Sequence, residues 1–151
     1  MSDDSWKTDL ETFFQQHQFE EDAEEKKAIA NLQSEQKEQE AAATFYKLVA
    51  KPAFDKIAME LRKHGRRVQV NITDNSAHIR VEYGDHDELN LALRSRGQLV
   101  YTVERFTHDG KAQTREGFLD RAFNDTFANT TQGKIINYTL TLYKDNVRRL
   151  R

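Results

Sequence analysis

The alternation of apolar and polar positions along this chain changes its period at Gly65. Upstream, residues 20–64 are rich in alanine, glutamate, glutamine and lysine, which are good helix formers, and they contain no glycine. Downstream, apolar and polar residues alternate with a period of two, which is typical of strands that bury one face. The pattern predicts one structural domain made of a helical region, residues 1–64, and an antiparallel sheet region, residues 65–151.

The helical region is predicted to begin with a short helix over residues 5–18. Its large side chains recur at helical spacing and form a stripe of the kind that usually packs on a core: Trp6, Leu10, Phe13, Phe14 and His17. An unbroken helix over residues 20–64 would be about 65 Å long at 1.5 Å per residue, too long for a compact domain of this size. We therefore expect a long helix that is kinked near Pro52, because proline removes a donor and strains the preceding turn.

A sparse heptad repeat runs through the long helix. One set of seam positions holds Ile29, Gln36, Ala43, Ala50 and Ile57, and the other holds Leu32, Gln39, Tyr46 and Ala53. Residues 33–40 contain no apolar side chain, so the helix is expected to pack at both ends and to be solvated in the middle. A weak coiled coil or helical hairpin, within or between chains, is the alternative.

Four short segments of the sheet region alternate between apolar and polar residues: 68–72, 79–83, 89–93 and 99–103. Short turns join them, and a polar edge strand over residues 111–116 follows the Asp109-Gly110 turn. The pattern predicts an antiparallel meander of four or five strands, whose apolar face is covered by the helices. In the fourth segment we expect the buried residues to be Leu99, Tyr101 and Val103. The opposite, polar face should include Gln69, Asn71, His78, Arg80, Glu82, Asn90, Arg94, Thr102 and Glu104.

The last part of the chain contains two further predicted elements. Apolar residues at helical spacing predict a short helix over residues 117–128. Residues 134–143 fit both a strand and a helix, and we favour a final strand because threonine and tyrosine prefer the pleated surface. The predicted fold class is therefore α+β, with N-terminal helices packed on one face of the meander and a short helix in the C-terminal half.

Charge is distributed unevenly along the sequence. Residues 1–40 contain 12 acidic and 4 basic residues, a net charge of −8, whereas residues 41–151 have a net charge of +6. The acidic part could pair with the basic part of the same or a neighbouring chain, and the basic part could bind a polyanion. Alternatively, both parts are simply solvated surfaces of opposite sign.

Several classes of protein lack support in this sequence. The absence of cysteine excludes disulfides and sulfur-ligated zinc sites. The N-terminal sequence is acidic and has no long apolar run, so we expect no signal peptide, no membrane span and a cytoplasmic location. No cofactor-binding motif and no nucleophile motif is found, and the enzyme class is left open.

The segment Tyr83-Gly84-Asp85-His86-Asp87-Glu88 is the richest in chemically active side chains. Gly84 and the aspartates supply turn chemistry between two strands. Asp85, His86 and Asp87 are weak candidates for a metal site, because a calcium loop needs a longer ligand series and a transition metal needs a second histidine. The sequence therefore favours a turn.

Basic residues cluster where the helices end and the sheet begins. The candidates for binding nucleic acid or another anion are Arg62, Lys63, Arg66 and Arg67, joined by the pair near the later turn, Arg94 and Arg96. No aromatic residues are interleaved with them, as a platform for single strands would require. The competing interpretation is that these arginines pair with the acidic N-terminal region.

Three functional hypotheses follow. The first is a non-catalytic interaction or adaptor domain, which forms a homodimer through its long helix or binds another protein partner. The second is a nucleic-acid-binding protein that uses the basic helix–strand junction 62–67 with Arg94 and Arg96. The third is a ligand-binding or enzymatic domain with a cavity between helices and sheet.

Overall fold

A computed structural model describes residues 5–150 of the chain. Helix α1 (Ser5–Phe45) continues through one π-helical segment (Tyr46–Ala50) into α2 (Lys51–Lys63). Five strands and a last helix follow: β1 (Arg67–Ile72), β2 (Ala77–Tyr83), β3 (His86–Arg96), β4 (Leu99–His108), β5 (Lys111–Gly117) and α3 (Gln132–Leu150). The strands form one antiparallel sheet in the order β1-β2-β3-β4-β5, which confirms the predicted α+β class and the meander.

The interruption expected near Pro52 is a change of helix type. The π-helical segment Tyr46–Ala50 directly precedes α2, and Pro52 lies in the first turn of α2. Proline has no N–H to donate to Leu48, four residues earlier, and its ring crowds the preceding turn. One wider turn accommodates this lost bond, because π-helical insertions relax the α-helical pattern locally.

Backbone contacts divide the chain into two compact units, residues 1–37 and residues 38–151. In the described part of the first unit every residue is exposed, including the seam residues Ile29 and Leu32. In the second unit the seam residues Tyr46, Ala50, Ala53 and Ile57 are buried in the core of this same chain. The seam residues in the second half of the heptad repeat therefore pack in the core of the second unit.

The core lies between the sheet and two helices. Helix α2 packs on β1, and α3 packs on both α2 and β3. The apolar face of the first three strands is buried or half-buried as predicted, except at Tyr83, which is 49% exposed. Cross-strand rows such as Val81 beside Leu89 and Ile79 beside Leu91 lie on this face. The fully buried side chains of α2 and α3 that cover this face include Phe54, Ala58 and Ile135.

The predicted orientation of β4 is wrong. Its buried residues are Val100, Thr102 and Glu104, and the apolar residues Leu99, Tyr101 and Val103 are only half-buried. The register of the sheet decides this, because Leu91 of β3 lies opposite Glu104 and therefore shares its face. Helix α3 makes the burial of polar groups possible: the Tyr138 hydroxyl is 2.9 Å from the Thr102 hydroxyl, and Asn146 donates to Glu104.

The predicted helix over residues 117–128 is also wrong, since Gly117 ends β5 and residues 118–128 form an irregular connection. Its backbone bonds the edge of β4 instead, with Val100 N donating to Asp125 O at 2.7 Å. The buried Asp125 carboxylate accepts a hydrogen bond from Asp120 N, and Phe123 has a positive φ of 65°. Side chains that bond nearby backbone groups in this way compete with the helix.

Residues 134–143 belong to α3, so the predicted final strand is wrong as well. The helical alternative places Ile135, Thr139 and Asn146 on one buried face at helical spacing. The sheet region leaves one apolar face to be covered, and a second helix beside α2 covers it. Tertiary packing thus overrides the strand preference of threonine and tyrosine.

Candidate functional site

The hairpin between β2 and β3 holds the segment that the sequence singled out. Tyr83 lies opposite His86, and Gly84 occupies the left-handed region with φ of 60°, which glycine adopts without strain. Asp87 forms an ion pair with Arg80 at 3.1 Å. Residues 5–150 contain no group of three or more acidic, histidine or cysteine side chains suited to a metal ion.

A β-bulge follows this turn. The register runs from Val81 opposite Leu89 to Glu82 opposite Asp87, so Glu88 is the additional residue on β3. A bulge changes which face the next side chain occupies. Glu88 and Leu89, although adjacent in sequence, are therefore both buried, with Glu88 only 5% exposed.

The buried Glu88 carboxylate accepts hydrogen bonds from two neighbours. Arg66, at the start of the sheet region, donates from Nε to Glu88 Oε1 at 3.0 Å. The Tyr143 hydroxyl, from α3, donates to the same oxygen at 2.7 Å. Arg66 also lies over the Tyr83 ring, 3.9 Å from its centroid, which supports the cation on a third side. Hydrogen bonds of this kind stabilise a buried charge that would otherwise be costly.

Asn146 of α3 connects this ion pair to the neighbouring strand. Its Nδ2 donates to the Glu88 backbone carbonyl at 3.1 Å and to Glu104 Oε2 at 2.9 Å. Its Oδ1 accepts from Arg149 Nη2 at 3.1 Å, and Arg115 donates to the other oxygen of Glu104. The Asn146 side-chain amide thus donates to the Glu88 carbonyl of β3, which has no ladder partner on β4 at this position.

The strands β3 and β4 diverge at this point. Their paired register runs from Leu91 opposite Glu104 to Arg96 opposite Leu99, although β3 begins five residues earlier and β4 extends to His108. A cavity of about 740 Å³ opens where pairing stops. We call it the β3–β4 cleft; its walls include residues 86–90 of β3, residues 105–107 of β4, and Asn146, Arg149 and Leu150 of α3.

Most of the charged groups around the β3–β4 cleft are already paired. Arg67 bonds Glu82 and the Gly84 carbonyl, and Arg80 bonds Asp87. Arg105 differs, because its side chain forms no hydrogen bond or ion pair with any residue between 5 and 150. Among the described residues, the partners of the Arg149 guanidinium are uncharged: the Asn146 amide oxygen and the Phe106 ring. Within residues 5–150, two cations therefore remain without a countercharge on the wall of the cleft.

The six basic residues proposed from the sequence do not form one patch. Arg62 donates to the Val68 carbonyl, Lys63 pairs with Glu60, Arg66 and Arg67 pair with Glu88 and Glu82, and Arg96 pairs with Glu116. Arg94 is exposed on β3. Residues 66–67 adjoin the start of β3, whereas Arg94 and Arg96 lie at its other end, about 25–30 Å away at 3.4 Å per residue. The placement favours local pairing of these side chains.

Sequence reasoning missed the residues that form this site. Glu88 is inaccessible to a periodicity argument, because the bulge that buries it is not visible in the pattern. Tyr143 and Asn146 were missed because residues 134–143 were predicted to form a strand, whereas both residues lie on α3. The only available indication was the alternative helical spacing of that segment, which places Tyr143 one turn before Asn146 on α3.

Comparisons with protein-family models, with curated proteins and with solved structures found no match for this chain. Among the described residues, no helix is both long and apolar enough to cross a membrane.

The environment of Tyr143 predicts a measurable pH dependence. Burial, followed by its hydrogen bond to Glu88, raises the pKa of Tyr143 from its usual 10 to about 12. The neutral Tyr143 hydroxyl therefore makes its full contribution to the free energy of unfolding below pH 10, and this contribution is lost as the pH rises through about 12. Because Tyr143 is partly solvated, we expect this contribution to be about 1 kcal/mol.

The measurement is an ultraviolet titration of phenolate formation in the native protein. Tyr143→Phe should remove one of the late-titrating tyrosines, while Tyr46, whose pKa is also raised by burial, remains. An unchanged late amplitude in Tyr143→Phe would contradict the assignment.

Proposed function

We propose that this protein is a non-catalytic interaction domain that self-associates through the N-terminal part of α1. The observation that carries the proposal is a row of exposed large side chains, here called the α1 stripe: Trp6, Leu10, Phe13, Phe14 and His17. Its apolar members are about half exposed, from 47% for Leu10 to 61% for Phe14. Contiguous apolar surface of this kind on a protein usually marks an interaction site.

The α1 stripe occupies one face of the helix. At 100° per residue its five members fall within an arc of about 100°. The Phe13 ring is parallel to the His17 ring at a centroid distance of 6.1 Å and meets the Phe14 ring edge-on at 5.5 Å. Rigid aromatic groups lose little conformational entropy on binding, which suits them to be anchors of an interface.

A second copy of the chain is the partner that fits this stripe. Two copies can pair antiparallel about a point between Glu11 and Thr12. This arrangement sets Trp6 opposite His17 of the partner subunit, and Leu10 opposite the partner's Phe13. Such an interface is self-complementary, as a two-fold dimer requires.

Charge favours the antiparallel arrangement over a parallel one. Residues 20–25 contain five acidic side chains and no basic one. In a parallel pair these segments would lie side by side and repel, whereas the antiparallel pair places them at opposite ends. The opposite net charges of residues 1–40 and 41–151 give further support to association between chains.

Size-exclusion chromatography with light scattering tests the proposal. We expect the mass to approach twice the chain mass of 17.6 kDa as the concentration rises from micromolar to several hundred micromolar. The double variant Phe13→Ser and Phe14→Ser should stay monomeric, because each replacement removes a buried aromatic from the interface.

Phe19 supplies the matched control. It is 74% exposed and projects from the opposite side of α1, so Phe19→Ser removes the same kind of side chain from outside the stripe. We expect Phe19→Ser to dimerise like the natural sequence. A wild-type chain that remains monomeric at every concentration, or a control that loses association equally, would refute the role of the stripe.

A further inference from the structure

The β3–β4 cleft has the features of a ligand site that is separate from the α1 stripe. Its volume of about 740 Å³ lies within the range of cavities that hold small molecules. Its floor is fixed, because Asn146 is 5% exposed and is bonded to both strands that diverge around it. The cleft is therefore held open by specific hydrogen bonds.

The two cations that lack a countercharge enter the cleft from opposite sides. Successive residues of a strand face opposite surfaces of the sheet, so Arg105 and Phe106 point to different faces. Arg149 lies over the Phe106 ring, 5.6 Å from its centroid, on the side of α3. A group placed between the strands would thus have a guanidinium on each side.

The electrostatics of the walls favour an anion at this position. In the ion pairs Arg67–Glu82 and Arg80–Asp87, each arginine neutralises its carboxylate. Arg66 neutralises Glu88 in the same way. In the described part of the chain this leaves Arg105 and Arg149 against one unpaired acidic group on the cleft wall, Asp85 in the hairpin turn. Guanidinium groups bind carboxylate and phosphate oxygens by paired, charge-assisted hydrogen bonds.

The diverging strands can contribute further donors. No ladder pair joins residues 86–90 to residues 105–108, so backbone groups on these facing edges are not used for pairing across the cleft. Unpaired backbone N–H groups can bind the oxygens of an anion. We infer that the β3–β4 cleft binds a small molecule bearing a carboxylate or phosphate group, clamped between Arg105 and Arg149.

The test is an NMR titration of the full-length ¹⁵N-labelled chain, which follows the side-chain Nε–H signals of arginine. Inorganic phosphate and citrate serve as separate probes, and sodium chloride at equal ionic strength shows the effect of salt alone. We expect at least one probe to shift the Arg105 and Arg149 signals saturably at millimolar concentrations. Arg105→Gln should weaken that binding about tenfold or more, because a charge-assisted hydrogen bond is lost.

Two further variants complete the experiment. Arg149→Gln should also weaken binding. The result does not depend on this variant alone, because the Arg105 side chain has no hydrogen bond or ion pair to residues 5–150 whose loss could unfold the protein. Arg121→Gln is the control, since Arg121 is an exposed arginine outside the cleft. Shifts that match sodium chloride, or that survive in Arg105→Gln, would overturn the inference. Anion binding in the β3–β4 cleft can be tested independently of self-association through the α1 stripe.

Discussion

Replacing Glu88 with alanine should lower the free energy of unfolding by about 3–5 kcal/mol. The substitution leaves Arg66 without its carboxylate, and Arg66 is itself only 19% exposed in its side chain. It also removes the acceptor of the Tyr143 hydroxyl, whose bond is 2.7 Å long. Loss of one partner of a buried pair is costly because the other charge remains desolvated.

Urea unfolding followed by near-ultraviolet circular dichroism measures this effect. That region of the spectrum reports the packing of aromatic side chains such as the buried Tyr46, whereas the far-ultraviolet signal would be dominated by the long helix α1. Glu82→Ala is the matched control, because Glu82 pairs with Arg67 and Arg80, whose side chains are 63% and 40% exposed. We expect a loss below about 1 kcal/mol for the control. Equal losses in the two variants would contradict a special role for the buried pair.

Phe54→Ala should have an effect of similar size, about 3–5 kcal/mol, for a different reason. Phe54 lies on α2 with 0% exposure, in the core between α2 and the sheet. The substitution removes the transfer free energy gained by burying the ring, and it leaves a cavity that the surrounding core fills only partly. Since domains of this size are stable by about 5–15 kcal/mol, the variant should melt well below the natural protein.

Phe123→Ala provides the comparison for this second prediction. It removes the same atoms from a residue that is 78% exposed, so we expect a change within about 0.5 kcal/mol. Both variants can be followed by the same urea unfolding experiment. A loss for Phe54→Ala no larger than that of Phe123→Ala would show that α2 does not depend on this ring for its packing.

Much of the architecture was predictable from local patterns. The first three strands were predicted with the correct buried face, because large apolar residues such as Val68, Ile79 and Leu91 alternate with polar or small residues. The turn at Gly84 was predicted from its residue types, and the change of helix type before Pro52 follows from the missing N–H of proline. These features depend on neighbours within a few positions, and local sequence contains that information.

The orientation of β4 could not be predicted in the same way. Leu99, Tyr101 and Val103 form the more apolar set, and a pattern argument necessarily buries them. The structure buries Thr102 and Glu104 because α3 presents Tyr138 and Asn146 to them across the core. A polar residue is buried wherever a partner satisfies it, and that partner can be more than thirty residues away.

By itself the sequence determined the α+β class, the long N-terminal helix, three strands with their buried face, and the surplus of acidic charge before residue 41. Only the tertiary structure decided the helical state of residues 134–143, the irregular path of residues 118–128, and the buried network of Glu88, Glu104 and Asn146. It also decided where the cations lie, pairing Arg66 with Glu88 and leaving Arg105 at the edge of a cleft. The physical reason is range: periodicity records which side of one element is apolar, whereas hydrogen-bond partners and strand divergence are settled between elements distant in sequence.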